Sequence, residues 1–317
     1  TTVHHAISDG LSCVRLHAEI LTYCQHIASE PIPQVACLSA LPPLESLLPE
    51  SMKGIRGVMN NVFFLLRLGF QTLRSQPKTL GFEKYVPIES RRSGMVHRKL
   101  DKSLTQQLVA YCKQQKTTVQ GALGAAMLFA VARQITAGEK IPVCVSCRSI
   151  VDLRKRLEPV VSDEHLGVLA SSVISFHRLR TSTLFWDLAR EVKQQLEAGL
   201  DRDHLFSVVL MFKQMILFLL AHPHQVPVTV AITNVGRVDI ASVYGQFELE
   251  EISLVTSLAA FGGVFAAGVS TFKEKMLLNF MFSEPSISQE KVEMLANEVV
   301  SCLVDACSQE ATLVFKP

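Results

Sequence analysis

His4-His5-Ala6-Ile7-Ser8-Asp9-Gly10 decides how this chain is read. Two histidines, an aspartate and a glycine stand in fixed order around three variable residues. Four fixed positions make a chance match in such a chain on the order of one in a thousand. Thr1-Thr2-Val3-His4-His5 reads as a strand, Ser8-Asp9-Gly10 as a turn, and a helix follows. An alcohol or amine attacking a thioester must lose a proton near neutral pH, and histidine is the side chain with the matching pKa. Neighbours on a strand project to opposite faces, so only one of His4 and His5 can face a given cleft. Gly10 removes a side chain where a long thin donor would pass close to the backbone. Asp9 either pairs with a distant arginine and sets the loop, or orients the imidazole. A bland reading stands beside this one: two core histidines and an ordinary Ser8-Asp9 helix cap. A metal site built on His4 and His5 lacks a third ligand.

Outward from the motif, Leu11–Ala28 reads as a helix with Val14, Ala18 and Leu21 on one stripe, widened by Cys13, Ile20, Cys24 and Ile27. Residues 29–60 are rich in Pro and Ser and read as a connecting arm. Met59–Leu73 reads as a short apolar helix. A cleaner domain begins near Gly94, with a strand at Met95–Leu100. Helices open at Ser103 and Thr117, each with a glutamine three residues on. The second holds Gly121, Ala122, Gly124, Ala125 and Ala126, which places it centrally because small residues permit close backbone approach. Strands are expected at Ile141–Cys147, Val168–Phe176, Val228–Thr233, Gln246–Thr256, Val264–Ser270 and Met276–Phe282, and helices at Thr183–Leu200 and Leu205–Ala221. A last helix runs from Ser288, with Val292, Leu295, Val299 and Leu303 on one face. The class is α/β or α+β.

The 317 residues are 48% hydrophobic and 19% charged with a net charge of +2, a compact globular balance with no nucleic-acid-binding signature. Eight scattered cysteines suit buried thiols in a reducing, cytoplasmic setting. Cys144 and Cys147, the one tight pair, would point to opposite faces of a strand and so make a poor metal clip. Leu205–Ala221 is apolar but short for a membrane span and carries Lys213 and Gln214 near its middle, so it reads as a buried helix, with a helix that lines an apolar substrate channel or touches a membrane surface as the functional alternative. The chain starts at Thr1, within a few residues of the motif, and a preceding portion is expected to be cut away or separately encoded.

The motif resembles the HHxxxDG signature of the chloramphenicol-acetyltransferase-like fold, the group of peptide condensation domains, plant acyltransferases and alcohol acyltransferases. Two segments add to the likeness. SCRSIVDLRKRLEPVVSDEHLG, residues 146–167, is similar to the family's strand and D-x-R-x-R-L-x-P stretch. AITNVGRVD, residues 231–239, is similar to its S/T-N-x-G strand end. The plant group's DFGWG motif is absent, and Phe261–Phe265 is only a loose echo of it. The nearest branch is the phthiocerol/phthiodiolone dimycocerosyl transferase-like alcohol acyltransferases.

The resemblance implies a two-lobed α/β sandwich whose N-terminal lobe lacks its first part here. Residues 1–93 would be the rest of that lobe plus the arm, and 94–317 the C-terminal lobe. It implies His5 as catalytic base and Asn234, or the hydroxyl of Thr233, as the catalytic donor to a developing oxyanion. Asp9, Gly10 and His4 would be structural, with Arg154 as the partner of Asp9 and Arg148 as second choice. No cofactor is expected to stay bound: acyl-CoA or a phosphopantetheinyl carrier protein would be the donor substrate. The acceptor would bear a hydroxyl on a hydrophobic body, and a second polypeptide or fragment would supply the absent lobe. An amide-forming condensation domain and a noncatalytic carrier-protein scaffold are the alternatives.

Overall fold

The computed structural model describes residues 1–29, 38–136, 142–200, 202–308 and 313–316. In chain order the elements are α1 (Gly10–Ser29), 3-10 turns at Leu44–Leu47 and Glu50–Met52, α2 (Gly54–Ser75), β1 (Arg92–Leu100), α3 (Lys102–Gln114), α4 (Val119–Thr136), β2 (Val143–Asp152), β3 (Ala170–Leu179), α5 (Phe185–Gly199), α6 (Arg202–Ala221), β4 (Val230–Arg237), β5 (Val243–Tyr244), β6 (Phe247–Glu248), β7 (Phe265–Phe272), β8 (Lys275–Glu284) and α7 (Gln289–Ala306).

Six strands form one mixed sheet in the order β1-β8-β7-β4-β2-β3. The β2–β4 and β4–β7 pairs are parallel and the rest antiparallel. Period-two alternation splits the strands into two faces. Val145 and Cys147 of β2, Val230 and Ile232 of β4, and Leu278 and Phe280 of β8 join helices α4, α5 and α7 in the main core. The small residues of α4 do what their size predicts. A Cβ on Gly121 would stand 2.5 Å from the Ala189 carbonyl oxygen, and one on Gly124 2.9 Å from Val192. Ala or Ser in their place would push α5 off the sheet.

The other face is read off the register: Arg148 pairs with Ala231, Ala231 with Ala266 and Ala266 with Met281. Thr233, Gly268 and Asn279 form the next row. Loops cover part of this face, and their Val226, Leu258 and Phe261 pack there on Val228, Val264, Ala266 and Met281. The arm is anchored too. Leu47, Leu48 and Met52 enter a second cluster with Leu153, Leu157, Leu169, Leu205 and Phe206, and Glu158 N–H donates to the Leu47 carbonyl at 2.9 Å.

Several elements differ from the sequence reading. Thr1–His5 is no strand: Ile7 N–H closes a turn on the His4 carbonyl at 3.1 Å, and among the described residues no strand pairs with it. The expected strand at Gln246–Thr256 is reduced to the β5–β6 hairpin and a loop. Asp101, not Ser103, caps α3 by accepting from Leu104 N–H at 2.8 Å. At the start of α4, Thr118 accepts from Gly121 N–H, while Thr117 donates to the Ala189 carbonyl. Helix α2 starts five residues earlier than the apolar run implied. Helix α6 is not a buried helix: by length and composition its His204–Ala221 stretch could cross a membrane, yet only 22% of it is buried. Ile141 lies outside the described residues.

Candidate active site

The histidine motif sits at the end of the sheet where β2 and β4 finish and β3 begins. Asp9 is its anchor. Its Oδ1 accepts from Ser12 N–H at 2.9 Å and its carbonyl from Cys13 N–H at 2.9 Å, so it caps the start of α1. Its Oδ2 accepts from Leu169 N–H at 2.9 Å, which ties the loop to the chain entering β3. Arg154, fully buried, meets both oxygens at 2.9 and 3.1 Å. The cap and the arginine pair, which the sequence left as alternatives, belong to the same carboxylate.

Arg154 also donates to Asp152 Oδ1 at 2.8 Å and to Ser12 Oγ at 2.8 Å. Ser12 passes the link on, donating to the Gly167 carbonyl at 3.0 Å and accepting from Gly167 N–H at 3.1 Å. Ser12 was not singled out in the sequence. Its signal was its position three residues after a capping aspartate. Burial alone would push the Asp9 carboxyl up; the Arg154 hydrogen bonds and the Ser12 and Leu169 N–H groups outweigh it and hold the group below its ordinary value. Arg148 is not near this network. It lies on the loop-covered sheet face with its Nε buried and without a hydrogen-bond partner.

His5 and His4 are both exposed, so neither is a core histidine. His5 Nδ1 lies 2.8 Å from the Ser8 carbonyl oxygen. A carbonyl only accepts, so the neutral ring carries its hydrogen on Nδ1 and leaves the Nε2 lone pair free. His4 Nδ1 instead accepts from Ala6 N–H at 3.1 Å and braces the turn.

Gly10 sets how closely the motif approaches the sheet. A Cβ there would lie 3.1 Å from Val235 Cγ1 and 3.3 Å from Leu254 Cδ1. Val235 belongs to an irregular stretch at the end of β4, where pairing with β7 shifts between Asn234 and Arg237 and Gly236 takes φ +72°. Asn234 Oδ1 accepts from Gly236 N–H at 2.9 Å, a turn contact. Asn234 shares its cross-strand row with Val269 on the helix side, whereas Thr233 is on the other face with Gly268. Among the described residues neither one hydrogen-bonds to the motif.

One further constellation has catalytic residue types. His177 Nε2 is 2.8 Å from Ser175 Oγ, and its Nδ1 is 3.2 Å from Glu191 Oε1. Ser175 and His177 are buried, 4% and 2% exposed, which closes them to substrate. Of the paired cysteines, Cys147 is in the core and Cys144 on the opposite face.

The family described as phthiocerol/phthiodiolone dimycocerosyl transferase C-terminus matches residues 89–283, a span that contains Arg154 and Asn234 and begins after the histidine motif. No curated protein matches by sequence. Among solved structures, trichothecene 15-O-acetyltransferase from Fusarium sporotrichioides superposes with a TM-score of 0.71 at 13% identity, over 95% of this chain and 64% of the other. Polyketide synthase associated protein 5 from Mycobacterium tuberculosis gives 0.64 at 14% identity, over 98% and 73%. The first condensation domain of the calcium-dependent antibiotic synthetase gives 0.65 at 14%, over 98% and 64%. The chain therefore spans just under two thirds of the first of these. At such identities the superpositions establish a shared fold, the chloramphenicol-acetyltransferase-like one. With more than half of its length matched, the chain belongs to the phthiocerol/phthiodiolone dimycocerosyl transferase C-terminal family.

Proposed function

We propose that the chain carries the reacting base of an acyltransferase that moves an acyl group from a CoA or carrier-protein thioester to a hydroxyl acceptor. The observation that carries this reading is the exposed His5 ring with Nδ1 tied to the Ser8 carbonyl. Its free Nε2 takes the hydroxyl proton while the acceptor oxygen bonds to the thioester carbonyl carbon. The tetrahedral intermediate then breaks its C–S bond, and the imidazolium returns the proton to the departing thiolate. No covalent acyl-enzyme is needed. Asp9 and Arg154 act as positioning residues that fix the loop bearing His5. Asn234 or Thr233 would donate to the oxyanion.

The family's name speaks for an alcohol acceptor with a long apolar body over an amine. The related structures are longer, and in this reading the remaining part of such a fold, on this or a companion chain, walls the channel opposite His5. The seven described cysteines are unpaired, which suits a reducing cytoplasm. The test is thiol release from acyl-CoA by wild type and His5→Ala. A loss of about 10²–10⁴-fold with unchanged thermal unfolding is expected. Equal background in both proteins would favour a noncatalytic scaffold, and turnover with amines alone would favour the amide-forming reading.

A further inference from the structure

Helix α2 wears its apolar face outward. Ile55, Met59, Val62, Leu66, Phe70 and Leu73 recur at spacings of three and four, one continuous stripe on a helix. They are 50% to 82% exposed. The inward side is the less apolar one, and it is locked. Gly57 is buried against the preceding 3-10 turn, where a Cβ would stand 2.0 Å from the Met52 carbonyl oxygen. Asn60 Nδ2 donates to the Ser51 carbonyl, and the Phe64 ring packs on His204 at 5.8 Å. These contacts fix the rotation, so the stripe cannot turn inward without losing them.

The charge on the helix itself has one sign. Arg56, Arg67 and Arg74 follow one another at three and two whole turns along one border of the stripe; Arg67 Nη1 reaches back to within 3.4 Å of His204 Nε2, and Arg56 and Arg74 flank it at the two ends of the helix. The helix contains no Asp or Glu. Its neighbour α6 adds exposed Phe212, Leu217 and Phe218 around Lys213, and has no acidic residue from His204 to Ala221. A second copy of the helix would offer this row no carboxylate. A lipid bilayer with anionic headgroups offers both an apolar boundary and phosphates.

We propose that α2, with α6 beside it, docks the protein on an anionic membrane surface, the stripe entering the acyl boundary and Arg56 and Arg74 lying on lipid phosphates. Behind the helix, between it and β3, α5 and α6, is a cavity of about 380 Å³ with Phe64, Leu68, Ile174, Phe176, Val208 and Met215 among its lining. Arg67, Gln71, Gln195 and His204 add polar groups to that lining, so the space directly behind the docking helix is mixed in character.

The test is cosedimentation of the full chain with vesicles of phosphatidylcholine alone and of phosphatidylcholine with phosphatidylglycerol. Binding to the anionic vesicles is expected, weakened by salt. Leu66→Ser/Phe70→Ser, both exposed, should lose it about ten-fold with unchanged circular dichroism and melting. Arg56→Gln/Arg74→Gln should remove the preference for phosphatidylglycerol. Because docking does not need the transfer chemistry, His5→Ala should bind as wild type, so the two proposals fail separately. No binding to either vesicle, or binding indifferent to both double variants, overturns the proposal. So does a dimer that Leu66→Ser/Phe70→Ser converts to monomers, or a companion polypeptide that shields the stripe, when vesicle binding is absent.

Discussion

Arg154 closes on both carboxylate oxygens of Asp9, at 2.9 and 3.1 Å, across 145 residues of chain. Arg154 has no exposed surface, and its other carboxylate partner, Asp152, is one-third exposed. Removing one member of a buried pair leaves the other charge uncompensated, at a cost of about 3–5 kcal/mol. Asp9→Ala is expected to lose stability in that range in chemical denaturation, and to lose activity with it. Arg154→Met in the same background should cost far less than it does alone, because the stranded charge is gone. Wild-type stability of Asp9→Ala would remove the pair from its structural role.

The same pair sets an acid limit. The Asp9 carboxyl is held below its ordinary value of 3.8 in the folded protein. A depressed carboxyl stabilises fully above its unfolded pKa, and that contribution fades as pH falls through the folded one. The difference in unfolding free energy between wild type and Asp9→Asn should be flat above about pH 5 and shrink on further acidification. A difference that grew on acidification would contradict this sign.

What could be read from the sequence was local. Val292, Leu295, Val299 and Leu303 were expected on one face of the last helix, and all four are fully buried. The glycines and alanines of α4 marked it as central because size alone limits how near α5 can come. What could not be read depends on partners far away in the chain. Residues 246–256 alternate like a strand, but beyond the short β6 the Ile252 and Leu254 carbonyls are taken by Ser270 Oγ and Asn279 Nδ2, and the ladder does not continue. An apolar stripe such as that of α2 normally points inward, and the tertiary contacts of Gly57, Asn60 and Phe64 hold this one outward. Arg148 and Arg154 are equally plausible by type. Their separation comes from position along the chain: Arg148 is held mid-strand in β2, whereas Arg154 lies in the 3-10 turn just past the end of that strand, where the Asp9 loop meets it.

Gly10 separates space from conformation. Its φ is outside the left-handed region, so a side chain there would meet crowding and no backbone strain. Gly10→Ala requires Val235 and Leu254 to give by a few tenths of an ångström, an adjustment the helix propensity of Ala offsets. Gly10→Val is expected to cost about 1–3 kcal/mol by overpacking. It should also raise KM for the thioester more than Gly10→Ala does. Equal behaviour of the two variants in both assays would mean that the approach to Val235 is not limiting.

Asn234 is where a turn role and a catalytic role come apart under the right substitution. Its oxygen holds Gly236 N–H in the irregular end of β4, and only its nitrogen could serve an oxyanion. Asn234→Ala removes both and should cost about 1 kcal/mol for the lost hydrogen bond. Asn234→Asp keeps an acceptor for Gly236 and removes the donor. It is therefore expected to unfold near the wild-type midpoint while losing about 10²–10³-fold in kcat, the usual cost of deleting an oxyanion donor. If Asn234→Asp is stable and fully active, the donor is on the other face of β4. Thr233→Val, which deletes a hydroxyl at nearly constant volume, should then carry the loss.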